Sequence, residues 1–180
     1  MKSYVALLRG INVGGHAAID MKRLKAVFEL LDLHHVRTYI NSGNVLFQSE
    51  KEPSLLIPLI EKAIQDHFGI LVPVILRDAR EIQAMVEAFP KDWKNDEDQK
   101  TDILFLNEGF DGPTALLLIK TNPQVDTLIA LPKAIGWSVD RKNYTQSGMK
   151  KFIETTVYKN MTARNINTLR KLSALLAEQE

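Results

Sequence analysis

An α+β fold with mainly antiparallel sheets is predicted by three features of the sequence. Short apolar, β-compatible runs alternate with longer segments of helical period. Over the first half their order is strand, helix, strand, strand, helix, strand. A polar, charged stretch at residues 91–100 then gives way to strand, helix, strand and strand once more. The first order is that of a ferredoxin-like split βαβ motif, and the second repeats its plan without visible sequence identity. The expectation is two ferredoxin-like units packed as one body, with helices on one face of each sheet and two C-terminal helices. Residues 1–90 form the first half, 91–100 the linker and 101–180 the second half.

Each element has a local cause. Tyr4 to Leu8 is apolar without helical spacing, which reads as a buried strand ending at Arg9. Asp20 is the N-cap of a helix on which Met21, Leu24, Val27, Phe28 and Leu31 recur with helical period, and Ile19 and Leu24 are placed as a hydrophobic staple. Val36 to Ile40 alternates, Asn41-Ser42-Gly43 supplies turn chemistry, and Val45-Leu46-Phe47 resumes a strand, so this is a hairpin. Pro53 and Pro58 set the next helix to start no later than Ile57, and Gly69 closes it. Val72 to Leu76 is a strand that Pro73 assigns to a sheet edge. A helix from near Asp78 carries Ile82, Met85, Val86 and Phe89 and stops at Pro90. Beyond the linker come strands at 102–106, 125–130 and 134–139, with a helix at 113–120 between the first two. Helices from Ser147 to Tyr158 and from Thr162 to Glu178 close the chain, and Trp137 shares its strand face with Ile135 and Val139.

Composition narrows the function classes. A chain of 180 residues hides roughly 70% of its extended surface on folding, enough for a well-packed core. Hydrophobic residues at 45% and charged residues at 25% exclude disordered and fibrous classes. The net charge of +1 argues against coating nucleic acid or an anionic membrane by bulk charge. With no cysteine there is no disulfide framework, thiol nucleophile or thiolate zinc site. The opening apolar run is too short for a signal h-region or a membrane span, and the reading is cytoplasmic.

The stretch Arg9-Gly10-Ile11-Asn12-Val13-Gly14-Gly15 is the main candidate site. A charged Arg at the end of a buried strand, followed by glycines that permit positive φ, suits a pocket in which backbone amides and one guanidinium meet an anion. The glycine spacing matches neither the dinucleotide fingerprint nor a P-loop. Right-handed crossovers make the first and second strands run the same way, so the Arg9–Gly15 loop and the Asn41-Ser42-Gly43-Asn44 hairpin belong on one rim of the sheet. Thr162-Ala163-Arg164-Asn165 is the third candidate, with Thr162 as N-cap and Arg164 in a first helical turn, where an anionic partner would offset its opposition to the macrodipole. His16, His34, His35 and His67 have no metal-ligand spacing, and no acid, base or nucleophile stands out as catalytic.

The run Tyr4 to Gly15, the run Thr38 to Phe47 and the segment Thr162 to Leu169 resemble the bacterial family named domain of unknown function 1697. The resemblance implies two ferredoxin-like units and marked polar residues at the positions just named, and it implies no activity. One departure is Ser147-Gly148-Met149-Lys150, where the family tends to place a basic residue directly after the serine. The functional expectation is a small anionic ligand, a nucleotide or a phosphorylated or carboxylated metabolite. It would be held by Arg9, Gly10, Asn12, Gly14, Gly15, Asn41, Ser42, Gly43 and Asn44, with Arg164 and Asn165 contributing, and with no cofactor and no metal. The alternatives are a single-stranded nucleic-acid-binding module, because RNA-recognition domains share the strand order, and a non-catalytic homodimer. No membrane partner is expected.

Overall fold

The computed structural model describes residues 1–14 and 17–179. Its first sheet holds β1 (Lys2–Leu8), β2 (His34–Tyr39), β3 (Asn44–Ser49) and β4 (Val74–Asp78) in the order β2-β3-β1-β4, each neighbouring pair antiparallel. The crossovers are α1 (Met21–Glu29) and α2 (Pro53–Phe68), and α3 (Ala79–Ala88) follows β4. This is the ferredoxin-like arrangement, with β4 at the edge that Pro73 requires. One side of the sheet packs Tyr4, Ala6, Leu8, Val45, Phe47, Val74 and Leu76 against Leu24 and Phe28 of α1 and Leu56, Ile60 and Ile64 of α2. Val5 and Leu7, on the other face of β1, are also fully buried, which is why β1 reads as an unbroken apolar run without alternation.

The second sheet repeats the plan. β5 (Gln99–Leu106), β6 (Asp126–Leu131), β7 (Ala134–Asp140) and β8 (Met161–Asn165) lie in the order β6-β7-β5-β8, again antiparallel throughout. The first crossover is the short α4 (Gly112–Leu116). The second consists of two 3-10 segments, Arg141–Gln146 and Gly148–Glu154, and the single turn α5 (Thr156–Lys159). α6 (Ile166–Ala177) follows β8. The core of this sheet gathers Leu104, Leu106, Ile135, Trp137 and Met161 with Ala115, Phe152 and Val157. The chain divides into two compact units, Met1–Ile82 with Leu172–Glu180, and Gln83–Lys171.

Three sequence expectations are corrected here. Thr162 to Asn165 is not the start of a helix but most of β8, which pairs with β5 from Leu106↔Met161 to Asp102↔Asn165. The cap is Asn165, whose Oδ1 accepts the Thr168 N–H at 2.9 Å. The expected helix from Ser147 to Tyr158 is broken into 3-10 and α pieces, because the Ser147 hydroxyl and Gly148 N–H donate to the Asp126 carboxylate and tie its start to β6. On that segment Phe152 and Val157 are buried while Ile153 faces out. The helix expected at 113–120 runs only from Gly112 to Leu116.

The polar stretch after α3 carries a buried ring. Trp93 stacks on Phe89 with centroids 5.7 Å apart, over Gly136 of β7, where a Cβ would come within 2.6 Å of the indole. Arg170 on α6 donates to the carbonyls of Trp93, Pro90 and Lys91, and Asn167 donates to that of Asn95. These side chains stitch residues 90–95 to the second unit.

Candidate functional site

At the end of β1 the Leu8 N–H donates to the Gly43 carbonyl at 2.8 Å, and the Arg9 N–H to the Pro73 carbonyl at 3.0 Å. The strand end is thus held by the β2–β3 hairpin on one side and the entry to β4 on the other. Gly43 has φ +79, and a Cβ there would sit 2.8 Å from both Leu8 Cβ and Ile11 Cδ1, so the hairpin approaches the loop as closely as only glycine allows.

Asn12 makes the join. Its Nδ2 donates to the Ile19 carbonyl at 3.0 Å and the Asn41 carbonyl at 2.9 Å, and its Oδ1 accepts the Ile19 N–H at 2.8 Å. Both amide protons and the oxygen are engaged, so this side chain closes the loop on itself and clips it to the hairpin. Asn44 is buried and donates to the Tyr39 carbonyl and the Ser42 hydroxyl, both at 3.0 Å. Asn12, Ser42, Gly43 and Asn44, expected as ligand contacts, build the rim that brings the loop and the hairpin together. Left-handed backbone concentrates here: Gly10, Asn12, Gly14, Ala17, Ile40 and Gly43 lie on this rim, against Asp32, His35, Gly69 and Gly109 elsewhere among the described residues.

The second unit supplies an internal comparison. There the Leu106 N–H donates to the Lys133 carbonyl and the Asn107 N–H to that of Asn160, the same two bonds as at Leu8 and Arg9. Asp111 caps α4 through the Thr114 N–H as Asp20 caps α1 through the Arg23 N–H. Between those fixed points the second unit needs only residues 107–111, and its hairpin turns through Pro132 and Lys133. The first unit takes residues 9–20 and a turn of 40–43. The extra length is not required to connect a strand to a helix in this fold.

That extra length walls a surface hollow of about 590 Å³ lined by Asn12, Ala18, Ile19, Asp20, Met21, Lys22 and Asn41. Of the expected residues, Asn12 and Asn41 line it. Arg9 stands half-buried at the strand end on the same rim and is not among the walls, Gly10 and Gly14 lie along the loop, and Gly15 falls outside the described residues. Sequence reading missed Lys22, because a lysine in a first helical turn looks like any solvated position. Asp20 is already committed as the cap of α1, whereas the Lys22 ammonium makes no ion pair among the described residues and the Asn41 carboxamide makes no hydrogen bond. A second hollow of about 490 Å³ lies at the opposite rim, with Arg80 among its walls. Its Lys2 pairs with Glu52, and its Asp78 is engaged with Glu81 as the cap of α3.

Arg164 and Asn165 belong to the second unit. Arg164 is buried in β8 and donates from Nη1 to the Thr162 hydroxyl at 2.9 Å and the Ala163 carbonyl at 2.7 Å. Burial pushes its pKa down to about 10, which leaves it charged at neutral pH. Its place in a strand removes the macrodipole argument made for it. Arg77 occupies the matching place in β4, buried, with Nη1 on the Leu76 carbonyl at 2.7 Å. The residue after each arginine, Asp78 or Asn165, caps the following helix.

Among the described residues no cluster of three or more His, Asp or Glu could hold a metal ion, and no helix is long and apolar enough to cross a membrane. No curated protein matches the chain. The fold is similar to a solved structure described as that of conserved bacterial protein SP0830 from Streptococcus pneumoniae, with a TM-score of 0.84 and 28% identity, covering 97% of this chain and 98% of that one. A family model described as protein of unknown function (DUF1697) matches residues 1–135, the span that holds the whole first unit's sheet and the enlarged rim. By that match the chain belongs to the DUF1697 family.

Proposed function

We propose that this protein binds a small anionic ligand at the rim shared by the loop after β1 and the β2–β3 hairpin. The observation that carries the reading is the enlargement of this rim over its counterpart in the second unit, with Asn12 clipping the two segments together beside an open hollow. Lys22 supplies a cation at the wall, and Arg9 a second at the strand end. The amide end of α1 is already taken by the Asp20 carboxylate, which also lines the hollow, so the positive charge rests on Lys22 and Arg9 and not on the helix end. The volume lies within the range of small-molecule pockets, about 300–1,000 Å³.

Thermal-shift measurements with nucleotides and phosphosugars test the proposal. A ligand present at about 100 times its dissociation constant adds about 2.7 kcal/mol of stability. Lys22→Ala and Arg9→Ala should each reduce the shift, and retention of every shift in both variants would remove the site from this rim. The rings that a base-stacking surface on the sheet would need, Tyr4 and Phe47, are packed in the core with Phe28. The small-ligand reading therefore stands ahead of single-stranded nucleic acid.

A further inference from the structure

Each sheet has two edge strands, and three of the four edges are closed to further pairing. Just before β4 the Pro73 carbonyl accepts the Arg9 N–H, so Val74, Leu76 and Asp78 turn their backbone groups away from β1. Side chains meet them there: Glu61 accepts the Val74 N–H, Arg77 donates to the Leu76 carbonyl, and Glu81 accepts the Asp78 N–H. On β8 the Ala163 carbonyl is held by Arg164 in the same way. β2 is broken by a register shift between His34 and Arg37, and the His35 carbonyl takes the Gln179 side-chain amide. Such devices stop a sheet edge from pairing with another chain.

The remaining edge, β6, carries none of them. The Lys133 carbonyl accepts from Leu106 of β5, so on β7 it is Ala134, Gly136 and Ser138 that face β6. Their partners Leu131, Ile129 and Thr127 use their backbone groups on β7, which leaves those of Leu128 and Ala130 directed outward. Among the described residues nothing hydrogen-bonds those outward groups. From Thr127 to Leu131 the strand has no charge, no proline and no register shift.

We propose that β6 is an interface for a second copy of this chain, each copy's β6 pairing antiparallel with the other's across a two-fold axis at Ile129. That register sets Leu128 opposite the partner's Ala130 and Ala130 opposite the partner's Leu128, so every outward N–H and C=O is matched. The neighbouring registers fail: one opposes Ala130 to Asp126, whose N–H already donates to Asn122, and the other opposes Leu128 to Pro132, which has no N–H. An uncharged segment is also compatible with itself, since the two-fold puts Ile129 against Ile129 with no like charges face to face.

Sedimentation velocity of the full chain over about a hundredfold range of concentration tests this, with amide exchange read alongside. The parent should dimerise, and the Leu128 and Ala130 amides should exchange several-fold more slowly at the high end of the range than at the low end. Ile129→Lys and Ile129→Glu, each alone, bring like charges together and should weaken dimerisation about tenfold or more. Mixed in equal amounts they should recover a dimer, which misfolded variants would not. A dimer that survives both substitutions separately lies on another surface and overturns the proposal. So does a mixture of the two folded variants that stays monomeric, or a parent that stays monomeric at every concentration. If neither variant folds, the two parental amides decide: exchange at one rate throughout the range overturns the pairing, and slowing with concentration upholds it.

Discussion

Asn12 commits both amide protons and its oxygen to the rim, which makes a one-atom change informative. In Asn12→Asp a carboxylate oxygen replaces Nδ2 and faces the Ile19 and Asn41 carbonyls, two acceptors with no donor between them. Urea unfolding should show a loss of about 2 kcal/mol or more, and the Ile19 amide should exchange faster. Ile40 predicts the opposite sign. Replacing it by Asn, which tolerates the left-handed region, should stabilise the fold by about 1 kcal/mol, a gain of about 2–4 °C in Tm for a chain of this size. The glycines and asparagines of both segments were visible in the sequence, and their meeting on one rim followed from crossover handedness. The division of labour among them was not visible. A carboxamide that holds a loop and one that stands exposed are the same group. What separates Asn12 from Asn41 is whether a carbonyl lies within reach, and for Asn12 one of those carbonyls is 29 residues away.

Among the elements, the connection from β7 to β8 depends on one carboxylate. Asp126 accepts from the Asn122 N–H, the Ser147 hydroxyl and the Gly148 N–H. Burial pushes its carboxyl up, but these donors together hold it below the usual carboxylate range. A depressed folded-state pKa contributes stability that is present above the unfolded value near 4 and is lost as pH falls through the folded one. Asp126→Asn should therefore cost about 1.5–3 kcal/mol at pH 7 and flatten the acid limb of the stability curve below about pH 5, measured by urea titration at several pH values. One segment that sequence reading placed badly, from Ser147 onward, starts in this cluster, and the other is β8 at the far edge of the same sheet. Thr162 and Asn165 both have N-cap chemistry and precede a strong helical period, so the local signal favours helix. The strand forms because β5, nearly sixty residues earlier, offers an open edge.

At the scale of the whole molecule, the alternation of elements revealed both ferredoxin-like plans. The unit boundary is less direct, since the chain crosses from the first unit inside the α3 pattern and returns to it at Leu172 within α6. Periodicity reports that a helix exists and says nothing of which core it serves. The polar run at 91–95 is likewise held by groups far along the chain, chiefly Arg170. Arg170→Met keeps the apolar stem and removes the three carbonyl contacts. Trypsin should then cut at Lys91 or Lys94 several-fold faster than in the parent, which limited proteolysis followed by mass spectrometry would read.

Because the protein builds the same architecture twice and decorates only one copy, it contains its own blank. The compact bend at residues 107–111 and the two-residue turn at Pro132 and Lys133 specify how short the loop and hairpin of the first unit can be made with the fold intact. A chimera trimmed to those lengths separates what the scaffold needs from what the enlarged rim adds, in a single folded background.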